Sequence, residues 1–192
     1  MHPREARQLL SPVASAWWIA GGWALDLFLG RQTRQHEDLD VGVLRRDVPQ
    51  VLDAMAGWEF FEAENGYLRR LEHGAPGLEV HSLWGRPLGE KSWVLELMLD
   101  EAEGDTWVFR RERSVRRPLD TATTRTADGL RHLAPEIQLL YKAKHARPKD
   151  EADFRHVAPQ LDFSARTWLR DALVRVDTGH EWIISLEATL SP

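Results

Sequence analysis

The sequence predicts an α+β protein with a helical C-terminal segment, and three observations carry that prediction. Between residues 17 and 110, short apolar runs bounded by glycine and polar turns alternate with short helical patterns. From Pro135 onward, helical patterns dominate. In residues 20–43, AGGWALDLFLGRQTRQHEDLDVGV, a Gly-Gly pair opens an apolar helix, and two aspartates lie two positions apart in an apolar run.

Each element follows from local chemistry. Ser11-Pro12 suits an N-cap and first helical position. Gly21-Gly22 interrupts the pattern that follows, because each glycine costs about 1 kcal/mol against alanine inside a helix. The stretch therefore divides into a strand at 17–20, a glycine turn and a helix at 23–29 that Gly30 ends. Residues 39–44 form the carboxylate strand, and Asp47 caps a helix at 49–56. Strands at 58–63 and 67–71 flank a turn at Glu64-Asn65-Gly66. A strand at 77–83 follows from the alternation of Leu78 and Val80 with Glu79 and His81. Strands at 93–99 and 106–110 flank an acidic turn, and the Thr-rich stretch 111–132 reads as loop with short strands. Pro135 opens a helix that ends before Pro148, and helices follow at 150–157, 164–176 and 180–190. Residues 1–133 thus form one unit, with a helical segment, 134–192, packed on it.

Composition narrows the function. The chain has 192 residues and 43% hydrophobic content, enough for a buried core. It has no cysteine, so disulfides, thiolate metal sites and cysteine nucleophiles are excluded. The N-terminus lacks the pattern of a signal peptide, and no apolar run reaches the roughly 20 residues of a membrane span. A cytoplasmic protein without a membrane partner is the expectation. The net charge of −5 argues against a nucleic-acid partner and suits a cationic small molecule. Nine tryptophans are many for this length, and packing is the expected use of most.

The Asp pair carries the chemistry. In a strand, Asp38 and Asp40 share one face while Leu39, Val41 and Val43 face the core. Two adjacent carboxylates repel unless a cation lies between them, and hard oxygen ligands suit Mg²⁺. A metal site that also accepts phosphate oxygens points to phosphoryl or nucleotidyl transfer.

The string Gly21-Gly22-Trp23-Ala24-Leu25-Asp26, Gly30-Arg31, Thr33-Arg34, His36, Asp38-Leu39-Asp40 resembles the polymerase-β-like nucleotidyltransferase superfamily, in its aminoglycoside and lincosamide adenylyltransferase branch. A second block, Leu133-Ala134-Pro135-Glu136, Leu139-Leu140-Tyr141-Lys142 and Lys149-Asp150-Glu151-Ala152-Asp153-Phe154, is similar to the downstream helical segment of that branch. The resemblance implies a nucleotidyltransferase fold, a mixed β-sheet flanked by helices, with residues 1–133 as the catalytic domain. It implies transfer of a nucleoside monophosphate, AMP from ATP or the equivalent from another NTP, to a hydroxyl of a small aminoglycoside-like acceptor. Two Mg²⁺ ions would assist, and pyrophosphate would leave. The same superfamily contains protein-adenylylating antitoxins, and a nucleotide-binding protein without turnover is a further alternative.

Residue by residue, the resemblance assigns Asp38 and Asp40 to the metal, and Gly21 and Gly22 to close approach of the triphosphate at a helix N-terminus. It calls for a third carboxylate as metal ligand or base. Glu79 is the first candidate by order and spacing, with Glu96 as competitor; related chains generally carry Asp there, and Glu reaches one methylene further. His81, on the face of Glu79, is a candidate for proton transfer. Arg34, His36, Lys142 and Lys149 are candidates for nucleotide contact, each with a structural alternative: His36 as a loop cap, Arg34 at a helix C-terminus, and the lysines facing water.

Overall fold

The strand that carries Asp40, with Asp38 in the bend just before it, lies in the middle of the sheet in the computed structural model, which describes residues 1–64, 67–71 and 75–188. The elements in chain order are α1 (Pro3–Leu9), β1 (Trp17–Ile19), α2 (Gly21–Leu29), β2 (Leu39–Leu44), α3 (Val48–Ala54), β3 (Trp58–Glu64), β4 (Tyr67–Arg70), β5 (Ser82–Pro87) and β6 (Leu95–Glu103). They continue with β7 (Thr106–Val108), β8 (Arg116–Pro118), β9 (Thr123–Arg125), β10 (Arg131–Leu133), α4 (Pro135–Ala143), α5 (Pro148–Val157), α6 (Phe163–Val176) and α7 (Glu181–Ala188). Among the described residues the strands form one mixed sheet in the order β4-β3-β5-β6-β2-β1-β10-β9, and β7 and β8 extend it from the end of β6. β2 runs parallel to β6, and β1 runs parallel to β10.

Both faces of β2 are covered. Leu39, Val41 and Val43 join Leu83, Leu95, Leu97 and Leu99 in one apolar cluster with Ala6 of α1, Leu10 just after it, and Val48 and Val51 of α3. On the other face, Leu44 and Trp18 meet Trp107, Phe109, Leu133 and the tail helices through Ile137, Leu140, Leu169, Leu173 and Trp182. Gly42 makes room there, since a Cβ would overlap the Trp18 indole. The tail helices therefore share their core with the sheet.

Most predicted elements are present, and the departures have local causes. The chain before residue 11 forms α1, because His2 accepts from Arg4 N–H at 3.2 Å while its own N–H donates to Glu5 at 2.7 Å. Ser11-Pro12 starts no helix and lies in a turn. Asp47 precedes α3 but makes no capping bond through its side chain. The strand predicted at 77–83 starts only at Ser82. Val80 N–H donates to Gly77 C=O at 3.0 Å, closing a turn that leaves Leu78 exposed while Val80 is buried. Four alternating residues after Pro76-Gly77 fit a turn as well as a strand. Asn65 and Gly66 of the predicted hairpin turn, and the end of the last helix beyond Ala188, lie outside the described residues.

Candidate active site

Parallel pairing of β2 with β6 sets Asp40 directly opposite Glu96. Asp38, Asp40 and Glu96 each present a carboxylate oxygen within 4.8 Å of the others. Mg²⁺ coordinates oxygens at about 2.0–2.1 Å, so three oxygens this close fit one divalent cation. The electrostatics point the same way. Burial, then the charge of Glu96 and of Asp38, raises the Asp40 carboxyl to about 8, and burial raises Glu96 as well. A cation held among them would remove that repulsion. Glu79 is not in this cluster: it lies exposed in the turn before β5. Of the two candidates for third carboxylate, the structure brings Glu96 to the Asp pair, because a register partner on a neighbouring strand is closer than a residue in a flanking turn.

The two glycines make space for these groups. Gly21 has φ of 63°, and a Cβ there would overlap Asp40 Oδ2. Its N–H donates to Gln138 Oε1 at 2.7 Å, so it is already engaged. A Cβ on Gly22 would overlap Arg34 Nη2 and crowd the His36 ring. Gly21→Ala is therefore expected to lower any cation-dependent stabilisation sharply and cost about 1–2 kcal/mol of stability from the left-handed backbone alone, which urea denaturation with and without Mg²⁺ measures.

The loop between α2 and β2 is tied down by Asp26. This buried carboxylate accepts from Thr33 N–H at 3.0 Å, from Thr33 Oγ1 at 2.6 Å and from His36 Nε2 at 2.5 Å. His36 also packs on Trp23, with ring centroids 4.4 Å apart. The His36 side chain is thus occupied in holding the loop that ends at Asp38. Arg34 donates to Gln35 C=O at 3.1 Å and lies 3.4 Å from Asp153 of α5.

Beside the carboxylates lies a cavity of about 290 Å³, lined by Gly21, Asp40, His81, Glu96, Arg110, Arg111 and Lys142, among others. Lys142 reaches it while pairing with Asp150 at 2.8 Å and Asp153 at 3.0 Å. Burial works to raise Asp150, yet hydrogen bonds from Arg147 and Lys142 prevail and hold it well below the ordinary carboxylate range. Lys149 is exposed and does not line the cavity. Arg110 and Arg111 make no ion pair among the described residues. Burial and the neighbouring charge of Arg110 lower Arg111. Sequence reasoning missed this arginine pair; its only signal was an Arg-Arg step just after a strand. His81 also lines the cavity. Burial, then Arg110 and Arg45, lowers it, and Arg45 Nη2 donates to its Nδ1 at 3.3 Å. A neutral His81 therefore carries its proton on Nε2.

Behind the cavity, Asp100 is buried and accepts from Tyr141 Oη at 2.7 Å and Trp107 Nε1 at 3.1 Å. These bonds join β6, β7 and α4.

A family model described as aminoglycoside-2''-adenylyltransferase matches residues 4–121. A 2''-aminoglycoside nucleotidyltransferase of Escherichia coli is 37% identical over 70 residues, which are 35% of this chain and 38% of that one. A 2''-aminoglycoside nucleotidyltransferase of Klebsiella pneumoniae matches to the same extent. The match thus spans well under half the length of these relatives. The solution structure of the antibiotic-resistance factor ANT(2'')-Ia shares 16% identity, covers 98% of both chains and gives a TM-score of 0.58. The lincomycin-bound crystal structure of the lincosamide antibiotic adenylyltransferase LnuA shares 16% identity over 80% of this chain and 92% of that one, with a TM-score of 0.54. These likenesses show the nucleotidyltransferase fold. With the family model spanning more than half of the chain, including Asp38, Asp40 and Glu96, the protein belongs to the aminoglycoside-2''-adenylyltransferase family.

Proposed function

We propose that the protein transfers AMP from ATP to a hydroxyl of an aminoglycoside-type acceptor and releases pyrophosphate. The observation that carries this reading is the Asp38-Asp40-Glu96 cluster at the edge of a cavity holding an arginine pair that has no ion-pair partner among the described residues. Family membership supports the same chemistry.

Asp38, Asp40 and Glu96 are the residues that would hold Mg²⁺. A bound divalent cation supplies charge neutralisation on the transferred group and the leaving pyrophosphate. Arg110 and Arg111 bind the β- and γ-phosphates as fixed cations, and Lys142, braced by Asp150 and Asp153, adds positive charge beside Asp40. The acceptor hydroxyl oxygen forms the new bond to the α-phosphorus, and the bond from that phosphorus to the bridging oxygen breaks. The hydroxyl proton passes to a carboxylate of the cluster. Glu96, opposite Asp40 in the strand register, is the proposed acceptor of that proton. His81 Nε2–H lies on the same cavity wall and can donate to a phosphate or acceptor oxygen.

The test is pyrophosphate release from ATP and Mg²⁺ with a panel of aminoglycosides, with mass spectrometry of the acceptor. An acceptor that gains one AMP group supports the proposal. Absence of any pyrophosphate release across aminoglycosides and nucleotides overturns it.

A further inference from the structure

A cleft of about 700 Å³, more than twice the volume of the cavity beside Asp40, opens between α1, the C-terminal end of α2 and the β9–β10 hairpin. No described residue lines both. Ligand clefts run from about 300 to 1,000 Å³, so this one has room for a small molecule. The proposed transfer reaction makes no use of it.

The acids of the cleft are already engaged. Asp26, on one wall, accepts from Thr33 and His36. Asp128 is paired with Arg4 at 3.6 Å and accepts from Thr126 Oγ1. The cations opposite them are freer. Arg125 uses one guanidinium nitrogen on Gly129 C=O at 3.0 Å, and the exposed Arg31 side chain makes no hydrogen bond or ion pair among the described residues. His132 adds a third group. It lines the cleft yet is only 2% exposed. Its Nδ1 lies 3.0 Å from Leu133 C=O, an acceptor, so Nδ1 carries a proton and donates it to that bond. Burial lowers the imidazole, so the ring is neutral at pH 7 and Nε2 is left as an acceptor. No described residue donates to Nε2. A buried acceptor without a donor costs free energy, and a hydroxyl arriving from the cleft satisfies it.

Two guanidinium groups and one hydrogen-bond acceptor thus line a single cleft. Guanidinium forks match phosphate oxygens, and a phosphate monoester carries a charge of about −1.5 to −2 at pH 7, enough for both arginines. The His132 acceptor selects a ligand that also brings an O–H. We infer that the cleft is a second ligand site, taking a small polyol phosphate whose phosphate pairs with Arg31 and Arg125 and whose hydroxyl donates to His132 Nε2. The site is separate from that of transfer and needs neither nucleotide nor metal.

The experiment is calorimetric titration of glucose 6-phosphate and of glycerol 3-phosphate into the full chain, without nucleotide or Mg²⁺. Methyl phosphate, which has no alkyl hydroxyl, and glucose, which has no charge, are the comparisons. Loss of one hydrogen bond to a charged or buried group is worth about tenfold in affinity. At least one polyol phosphate is expected to bind wild type about tenfold more tightly than methyl phosphate does, and glucose is expected to give no binding heat. Arg31→Gln is expected to weaken that binding about tenfold, and the exposed position leaves the fold intact. His132→Phe is expected to make the polyol phosphate and methyl phosphate equal. The cavity beside Asp40 also holds arginines, so Arg110→Gln separates the two sites: binding in the cleft stays within about twofold of wild type. Failure of both polyol phosphates to bind wild type overturns the proposal, as does binding that is unchanged in Arg31→Gln or lost in Arg110→Gln instead. Equal affinity for polyol phosphate and methyl phosphate in wild type overturns the role of His132, and that comparison decides the point even if His132→Phe fails to fold. With no nucleotide present, the site and the transfer reaction stand or fall separately.

Discussion

Asp40→Asn is expected to lower pyrophosphate release at least about a hundredfold, since Asp40 is a proposed metal ligand and damage to such a ligand costs several kcal/mol of transition-state stabilisation. The same substitution is expected to make the cation-free protein more stable at neutral pH. The Asp40 carboxyl is raised from 3.8 to about 8 by burial and by Glu96 and Asp38. The folded state therefore holds that proton more tightly than the unfolded chain. Its stabilising contribution is complete below the unfolded value and is lost as pH climbs toward 8. Asparagine removes the charge and with it that loss. In chelator, the melting temperature of wild type should fall across this window relative to Asp40→Asn; with Mg²⁺ the order should reverse. A wild type that loses turnover only slightly on this change would contradict the assignment of the cluster.

Lys142→Met is expected to give the largest loss of stability. The ammonium is partnered by Asp150 and Asp153, whose side chains are 2% and 4% exposed. Removing one member of a buried ion pair costs about 3–5 kcal/mol, because the partner charge is left without compensation. Arg147 still serves Asp150, and Arg34 lies 3.4 Å from Asp153, so the lower end, about 3 kcal/mol or roughly 10 °C, is expected. The sign with pH is opposite to that of Asp40. Asp150 is held below the ordinary carboxylate range, so its contribution is present at neutral pH and is lost as pH falls below about 4. The stability gap between wild type and variant, from urea denaturation, should narrow in acid. An unchanged midpoint at pH 7 would mean that the three groups are not coupled.

Both variants test residues named from the sequence, yet the reasons they matter differ from those the sequence suggested. Lys142 was legible as a cation near the site, but its clamp on two aspartates was not. His36 was legible as conspicuous, and its bond to Asp26 assigns it to the loop. Gly21 was expected to open the helix end to phosphate; its N–H is taken by Gln138, and its missing Cβ makes way for Asp40. In each case the motif marked the right neighbourhood, while the partner lay outside the local pattern: 8 residues away for Lys142, 10 for His36 and 117 for Gly21.

Local spacing by itself determined that the Asp38 and Asp40 carboxylates lie close together, that glycines start and end α2, and that the tail is helical. Those properties depend on neighbours within a few positions, where backbone geometry dictates which side chains align. Only the tertiary structure decided that Glu96 completes the carboxylate cluster and that Arg110 and Arg111 line the same cavity. Those depend on which strands pair and in what register. Pairing is set by burying both faces of β2 at once, a cooperative packing condition in which no single segment holds the information.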